Sequence, residues 1–194
     1  MKNPVNRKLH EPKHEKTRSI TYRLPAKLVE DLETEATQKE ISQNVLVKQI
    51  LEKYTQWDKF ASIMGMIPIP KDILKTLGED MKGEEINKIA DAILPLIKDW
   101  VMFMKGGYDL KRAIESLEDY MRASGMTSDH RIEGSIHHFI IQHNLGIRWS
   151  LFTEQLLKRI FHQFLPDSTM NCRTTPNTTI ASIALGSEFD EHNY

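Results

Sequence analysis

The run RSITYRLP, residues 18–25, alternates polar and apolar side chains and stops at a proline, and no second strand signal follows it until about residue 130. Successive side chains of a strand point to opposite faces, so Ile20, Tyr22 and Leu24 share one face and Ser19, Thr21 and Arg23 the other. A strand by itself leaves a row of backbone N–H and C=O groups unpaired. With no neighbour nearby in the chain, the economical partner is the same strand of a second copy, antiparallel about a twofold axis. The strand therefore predicts a homodimer, with its apolar face packed on helices and its polar face turned outward.

Two helices follow it. In AKLVEDLETEATQKE, Leu28, Val29, Leu32 and Ala36 recur at helical spacing and acidic residues fill the other positions. Pro25 stands where a helix start tolerates proline. Ser42 and Asn44 then precede VLVKQILEKYTQW, whose Leu46, Val47, Ile50, Leu51, Tyr54 and Trp57 form a wide apolar face, and either polar residue can cap it. The spacing carries this helix on to about Gly65, where GMIPIPK ends it. A domain of residues 18–64 is expected, with its dimer core formed by Ile20, Tyr22, Leu24, Leu28, Leu32, Leu46 and Ile50.

A two-stranded ribbon fits the major groove of B-DNA, where arginine reaches guanine and serine or threonine reaches several bases. In the strand RSITYRLP, the helix AKLVEDLETEA and the segment EISQNVLVKQILEKY, residues 18–57 resemble the ribbon-helix-helix DNA-binding proteins. The resemblance implies that Ser19, Thr21 and Arg23 contact bases. It also implies that Ser42, Gln43 and Asn44, at the start of the second helix, hold a phosphate, with Arg18 and Lys48 beside them. Where that family usually carries a glycine in the turn, this chain has Glu40, and a left-handed backbone there costs about 1 kcal/mol.

Charge distribution points the same way. Residues 1–24 hold Lys2, Arg7, Lys8, Lys13, Lys16, Arg18 and Arg23 against Glu11 and Glu15, a net of +5, which leaves −6 for the remainder of a chain of net −1. Residues 1–17 contain few apolar side chains and two prolines, and are expected to form a disordered basic arm. Basic residues there would supply phosphate attraction that falls with salt.

Beyond residue 65 the pattern is mainly helical. Helices are predicted over 71–81 and 84–104, the second kinked or divided at Pro95. Another follows the capping residue Asp109 and is closed by Gly125. RIEGSIHHFIIQHNLG, residues 131–146, reads as one long strand bulged at Gly134, and WSLFTEQLLKRIFHQF as a last amphipathic helix. From Pro166 the Thr, Asn, Ser and Pro content predicts a weakly ordered tail, 166–194. The fold expected is thus a mostly helical α+β chain, with a C-terminal α+β domain over 66–165 for sensing or assembly. With 194 residues and 40% hydrophobic content, one sizeable core or two small ones can be buried. IPIP followed by HHFIIQHNLG and WSLFTEQLL is similar to an arrangement in archaeal ribbon-helix-helix proteins.

The lone Cys172 excludes an intrachain disulfide framework and a cysteine-rich zinc site. No apolar run approaches ~18 residues, so neither a membrane span nor a signal peptide is expected and the chain is read as cytoplasmic. No G-x-S-x-G, H-E-x-x-H or phosphate loop occurs, so neither enzymatic activity nor a cofactor is expected. His130, His137, His138 and His143 raise a metal-responsive alternative, with His137 and His143 on one strand face as its candidate ligands. Their adjacent and six-apart spacing differs from the H-x-H plus cysteine of nickel-responsive members of that family. Met102, Phe103, Met104, Tyr108, Tyr120, Met121 and Met126 could line an effector pocket, fill a core or form a dimer face. The expected partners are double-stranded DNA, a second copy of the chain, a higher oligomer, and an unidentified small-molecule or metal effector. An antitoxin-like module that binds both a protein and DNA is the remaining alternative.

Overall fold

The computed structural model describes residues 17–186, and the basic arm through residue 16 and residues 187–194 lie outside them. The chain divides into two compact units, 1–48 and 49–194.

In the first unit, residues 17–25 belong to neither a helix nor the sheet. Pro25, at φ −56 and ψ 139, precedes helix α1, Ala26–Gln38, and accepts the Val29 amide at 3.2 Å. Helix α2, Gln43–Lys53, follows a tight turn. Of the residues expected in the core, Leu46 is buried and Leu32 half-buried; Ala36 is buried beside them. Ile20, Tyr22, Leu24, Leu28 and Ile50 are exposed.

The division between the two compact units falls inside α2, after Lys48. From there the helix runs on through a π-turn, Tyr54–Asp58, into α3, Lys59–Ala61. Trp57 in that turn is buried and meets Tyr120, ring centroids 5.6 Å apart, while Gln56 accepts from Arg122 at 3.0 Å. These contacts tie the end of the predicted second helix to the larger unit. Gly65, at φ +73, closes the segment.

The larger unit is a two-layer α+β fold. Its helices are α4 (Lys71–Glu79), α5 (Gly83–Lys105), α6 (Leu110–Ala123) and α7 (Ile147–Phe164). Its strands are β1 (Thr127–Glu133), β2 (Ile136–Gln142), β3 (Asn171–Thr175) and β4 (Thr178–Ala184), in one antiparallel sheet of order β1-β2-β4-β3. Pro95 does not divide α5. Glu85 accepts the Lys82 N–H at its start, at 2.7 Å, and Gly106 ends it at φ +71. Asp109 caps α6 as expected, accepting the Arg112 amide at 2.9 Å.

Two expectations fail on the sheet. Residues 131–146 do not make one bulged strand: the chain reverses at Gly134–Ser135, and Glu133 pairs with Ile136. Gly134 supplies the positive φ, +65, that a two-residue hairpin loop needs. Nor do the described residues of the expected tail lack structure, since 171–184 supply β3 and β4, and β4 lies in the middle of the sheet. In TTIASIA, Thr179, Ala181 and Ile183 alternate inward, a half-buried strand pattern that threonine suits as well as isoleucine.

The helices cover one face of this sheet. Phe139 and Ile141 of β2, Ala181 and Ile183 of β4, Ile114 and Met121 of α6, and Leu157 and Phe161 of α7 form the main core. Burying each such large side chain stabilises the fold by roughly 1.5–3 kcal/mol. A second cluster joins Ala113 of α6 to Leu156 and Ile160 of α7, with Leu94 and Ile97 of α5 against it. Arg159 fastens α7 to α5 through Asp91 at 2.6 Å and Asn87 at 3.1 Å.

Candidate nucleic-acid interface

Apolar residues before α1 lack cover. Ile20 is 65% exposed, Tyr22 60% and Leu24 44%, alternating with exposed Ser19, Thr21 and Arg23, and Arg18 is exposed too. Leu28 and Ile50, on α1 and α2, are likewise close to half exposed. The first unit, through Lys48, buries Ala36 and Leu46 and leaves Ile20, Tyr22, Leu24 and Leu28 exposed.

The turn between the two helices is built by hydrogen bonds. Glu40 N–H donates to Thr37 O at 3.1 Å and Ile41 N–H to Ala36 O at 3.0 Å, the paired bonds of a Schellman C-cap. That motif needs a left-handed residue at Glu40, and its φ is +54. The side chain therefore sits where glycine is most at ease, as the sequence implied. Two residues on, Ser42 Oγ accepts the Val45 amide at 3.2 Å, so Ser42 rather than Asn44 caps α2. The amides of Gln43 and Asn44 belong to the first turn, where a helix has no internal acceptor for its N–H groups. Gln43 turns its side-chain amide back to Val29 O, 3.4 Å away. Asn44 and Lys48 are exposed.

The histidines of the larger unit occupy separate positions. His137 and His143 are both buried, but six residues of extended chain part them by about 20 Å. They cannot share one ion, and among the described residues no group of three or more His, Cys, Asp or Glu could hold a metal. His137 Nδ1 lies 2.9 Å from His130 Nε2, and the His130 ring stacks on Phe139 at 4.4 Å. His138 Nδ1 is 2.8 Å from Ser182 Oγ on the other face of the sheet.

His143 sits in a defined network. Its Nδ1 accepts the Leu145 amide at 3.0 Å, so the ring proton resides on Nε2, which donates to Ser150 Oγ at 2.9 Å. Thr179 Oγ1 bonds to Ser150 O at 3.0 Å, joining β4 to the start of α7. An activated serine would have to donate to the imidazole, and here the polarity is reversed. Burial, helped by Lys71, holds the His143 pKa below the ordinary histidine range. The pair is a structural clamp that sequence spacing could not reveal, because Ser150 and Thr179 reach His143 only through the fold.

The methionine and aromatic set is dispersed. Met121 is in the core, Tyr120 meets Trp57, and Met102 and Phe103 are exposed on α5. The interior gap beside Phe139 and Leu157 is about 20 Å³, the size of one water. An open groove of about 510 Å³ lies between α4 and α5, lined by Leu77, Asp80, Met81, Glu85, Lys88 and Ile89. Among the described residues no helix is long and apolar enough to cross a membrane. No protein-family model and no curated protein matches the chain.

Proposed function

We propose that this protein is a cytoplasmic, sequence-specific DNA-binding transcription regulator that works as a homodimer. Residues 18–25 of two chains pair as an antiparallel ribbon, and Ser19, Thr21 and Arg23 of each strand read base edges in the major groove. The first turn of α2 at Ser42, Gln43 and Asn44 meets a backbone phosphate.

The observation that carries this reading is the alternation in residues 18–25: a strand pattern that pairs with no strand among the described residues, and an apolar side left open to solvent. A capped helix pair follows at once, joined by a left-handed turn. Pairing with a second copy would satisfy the backbone and cover Ile20, Tyr22 and Leu24 in one step.

Selection of bound sequences from random DNA, followed by titration of the preferred site, tests it. Arg23→Ala should weaken the preferred site by roughly 1–3 kcal/mol and relax the sequence at one position. An equal loss on preferred and random DNA would make Arg23 a phosphate contact, and no preferred sequence at all would remove the reading.

A further inference from the structure

Among the described residues the sheet of the larger unit ends in two edge strands, β1 and β3, and their charges differ in pattern. β3 is five residues long, and its Thr174 donates to Glu154 of α7 at 2.6 Å. Arg173 stands at its centre, so two copies of β3 laid antiparallel about that centre would set arginine against arginine. β1 is seven residues long, without proline, glycine or a bulge in its register with β2. A long, regular edge is a template for another strand unless its charges forbid the pairing. The register also fixes what β1 turns outward. His130 lies opposite Phe139 and Ile132 opposite His137, so His130 and Ile132 share the helix-covered face, and Thr127, Asp129, Arg131 and Glu133 share the open one, where all four are exposed. Glu133 and Ile136 close the two-residue loop, and such a closing pair exchanges hydrogen bonds. By alternation, the backbone groups of Ser128 and Ile132 therefore point away from β2. Arg131 Nε donates to Asp129 at 2.7 Å, with the two side chains 68% and 48% exposed.

We propose that β1 pairs antiparallel with β1 of a second copy about a twofold axis through His130, joining two four-stranded sheets into one. Ser128 then exchanges hydrogen bonds with the partner's Ile132, and Ile132 with the partner's Ser128. Between them Asp129 stands opposite the partner's Arg131, and Arg131 opposite the partner's Asp129. These are pairs of the closer, non-hydrogen-bonded kind, with Cα atoms ~4.5 Å apart. The four charges alternate in sign around the axis, so each keeps its neighbour within the chain and gains an opposite charge across it. Sliding the strands by one hydrogen-bonded pair sets Asp129 on the partner's Asp129 in one direction and Arg131 on the partner's Arg131 in the other, and both are repulsive. The sequence of β1 thus favours the centred register that the arginine of β3 disfavours on the opposite edge. The contact is isologous and closes at two chains. It is independent of the ribbon and joins copies through the larger unit.

Full-length protein tests it by sedimentation equilibrium, with circular dichroism to confirm folding. Leu24→Asp disables the ribbon, and that variant should still dimerise. In the Leu24→Asp chain, Asp129→Arg or Arg131→Asp puts like charges opposite each other and should each weaken the dimer about tenfold. Mixing these two charge variants should restore association as a heterodimer, because every charge then faces its opposite. Loss of the ion pair within the chain cannot produce that rescue. Ser128→Pro, which removes an outward amide and spares the bonds to β2, should give monomers in the same background. A folded Leu24→Asp chain that is monomeric at every concentration overturns the proposal. So do charge variants that stay as tightly paired as before, or that fail to associate when mixed. If Ser128→Pro alone, with Leu24 intact, already yields monomers, the β1 contact stands and the ribbon reading falls.

Discussion

The first unit buries Ala36 and Leu46 and leaves Ile20, Tyr22, Leu24 and Leu28 in solvent, whereas the larger unit closes a core over a four-stranded sheet. The larger unit satisfies its own strands and fills its own interior. The first has the ingredients of a core but only half of the partners. The alternating pattern of residues 18–25 is what the proposal of completion by an identical segment rests on.

The contrast can be broken most forcefully in the larger unit. Phe161→Ala removes a ring packed on Phe139, 5.2 Å between centroids, and should cost about 3–5 kcal/mol in denaturant unfolding, independently of protein concentration. A loss that varied with concentration would mean that this core also needs a second chain. Gly78→Ala should come next. A Cβ there would lie 2.5 Å from Trp149 Nε1 and 2.9 Å from Cδ1, on the ring whose N–H holds Leu74 O at 2.8 Å. Overpacking of roughly 1–3 kcal/mol outweighs the helix-propensity gain of about 1 kcal/mol, so the unfolding midpoint should fall.

The first unit should respond in the opposite sense to a simplification. Glu40→Gly relieves a left-handed residue and should raise its stability by about 1 kcal/mol, read from the melting of α1 and α2. No gain would mean that Glu40 is held by something other than backbone geometry.

How much of this was legible followed from how local the signal was. The cap at Asp109, a cap at Ser42 or Asn44 and the helices of 71–123 are set by residues within a few positions of one another, which local pattern reveals, while the turn at Glu40 was marked only by the family resemblance. Gly134–Ser135 was legible as a hairpin loop but was read as a bulge, because continuous alternation on both sides hides a reversal of direction. β3 and β4 were missed because threonine and asparagine look like loop composition until Thr179, Ala181 and Ile183 find the helices beneath them. The candidate interface differs again. Its residues could be named from the strand pattern and the family resemblance, and its completion by a second chain is the proposal.

The smallest effect sharpens the contrast through pH. Burial depresses the His143 pKa below its unfolded value of about 6.5, so its neutral form gives full stability above that pH. As pH falls below 6.5 the unfolded chain takes up the proton first, and stability should decline. His143→Gln should be less stable at neutral pH but should lose that part of the acid slope, as denaturation at pH 7.5 and 5.5 would show. An unchanged slope would place the proton uptake elsewhere.

Amide hydrogen exchange of residues 19–24, followed across protein concentration, tests the central claim most directly. Pairing between chains predicts protection at alternate amides, strong where the dimer is populated and falling away on dilution. Exchange at the free-peptide rate throughout this segment at every concentration, or protection indifferent to dilution in a monomeric protein, would contradict it.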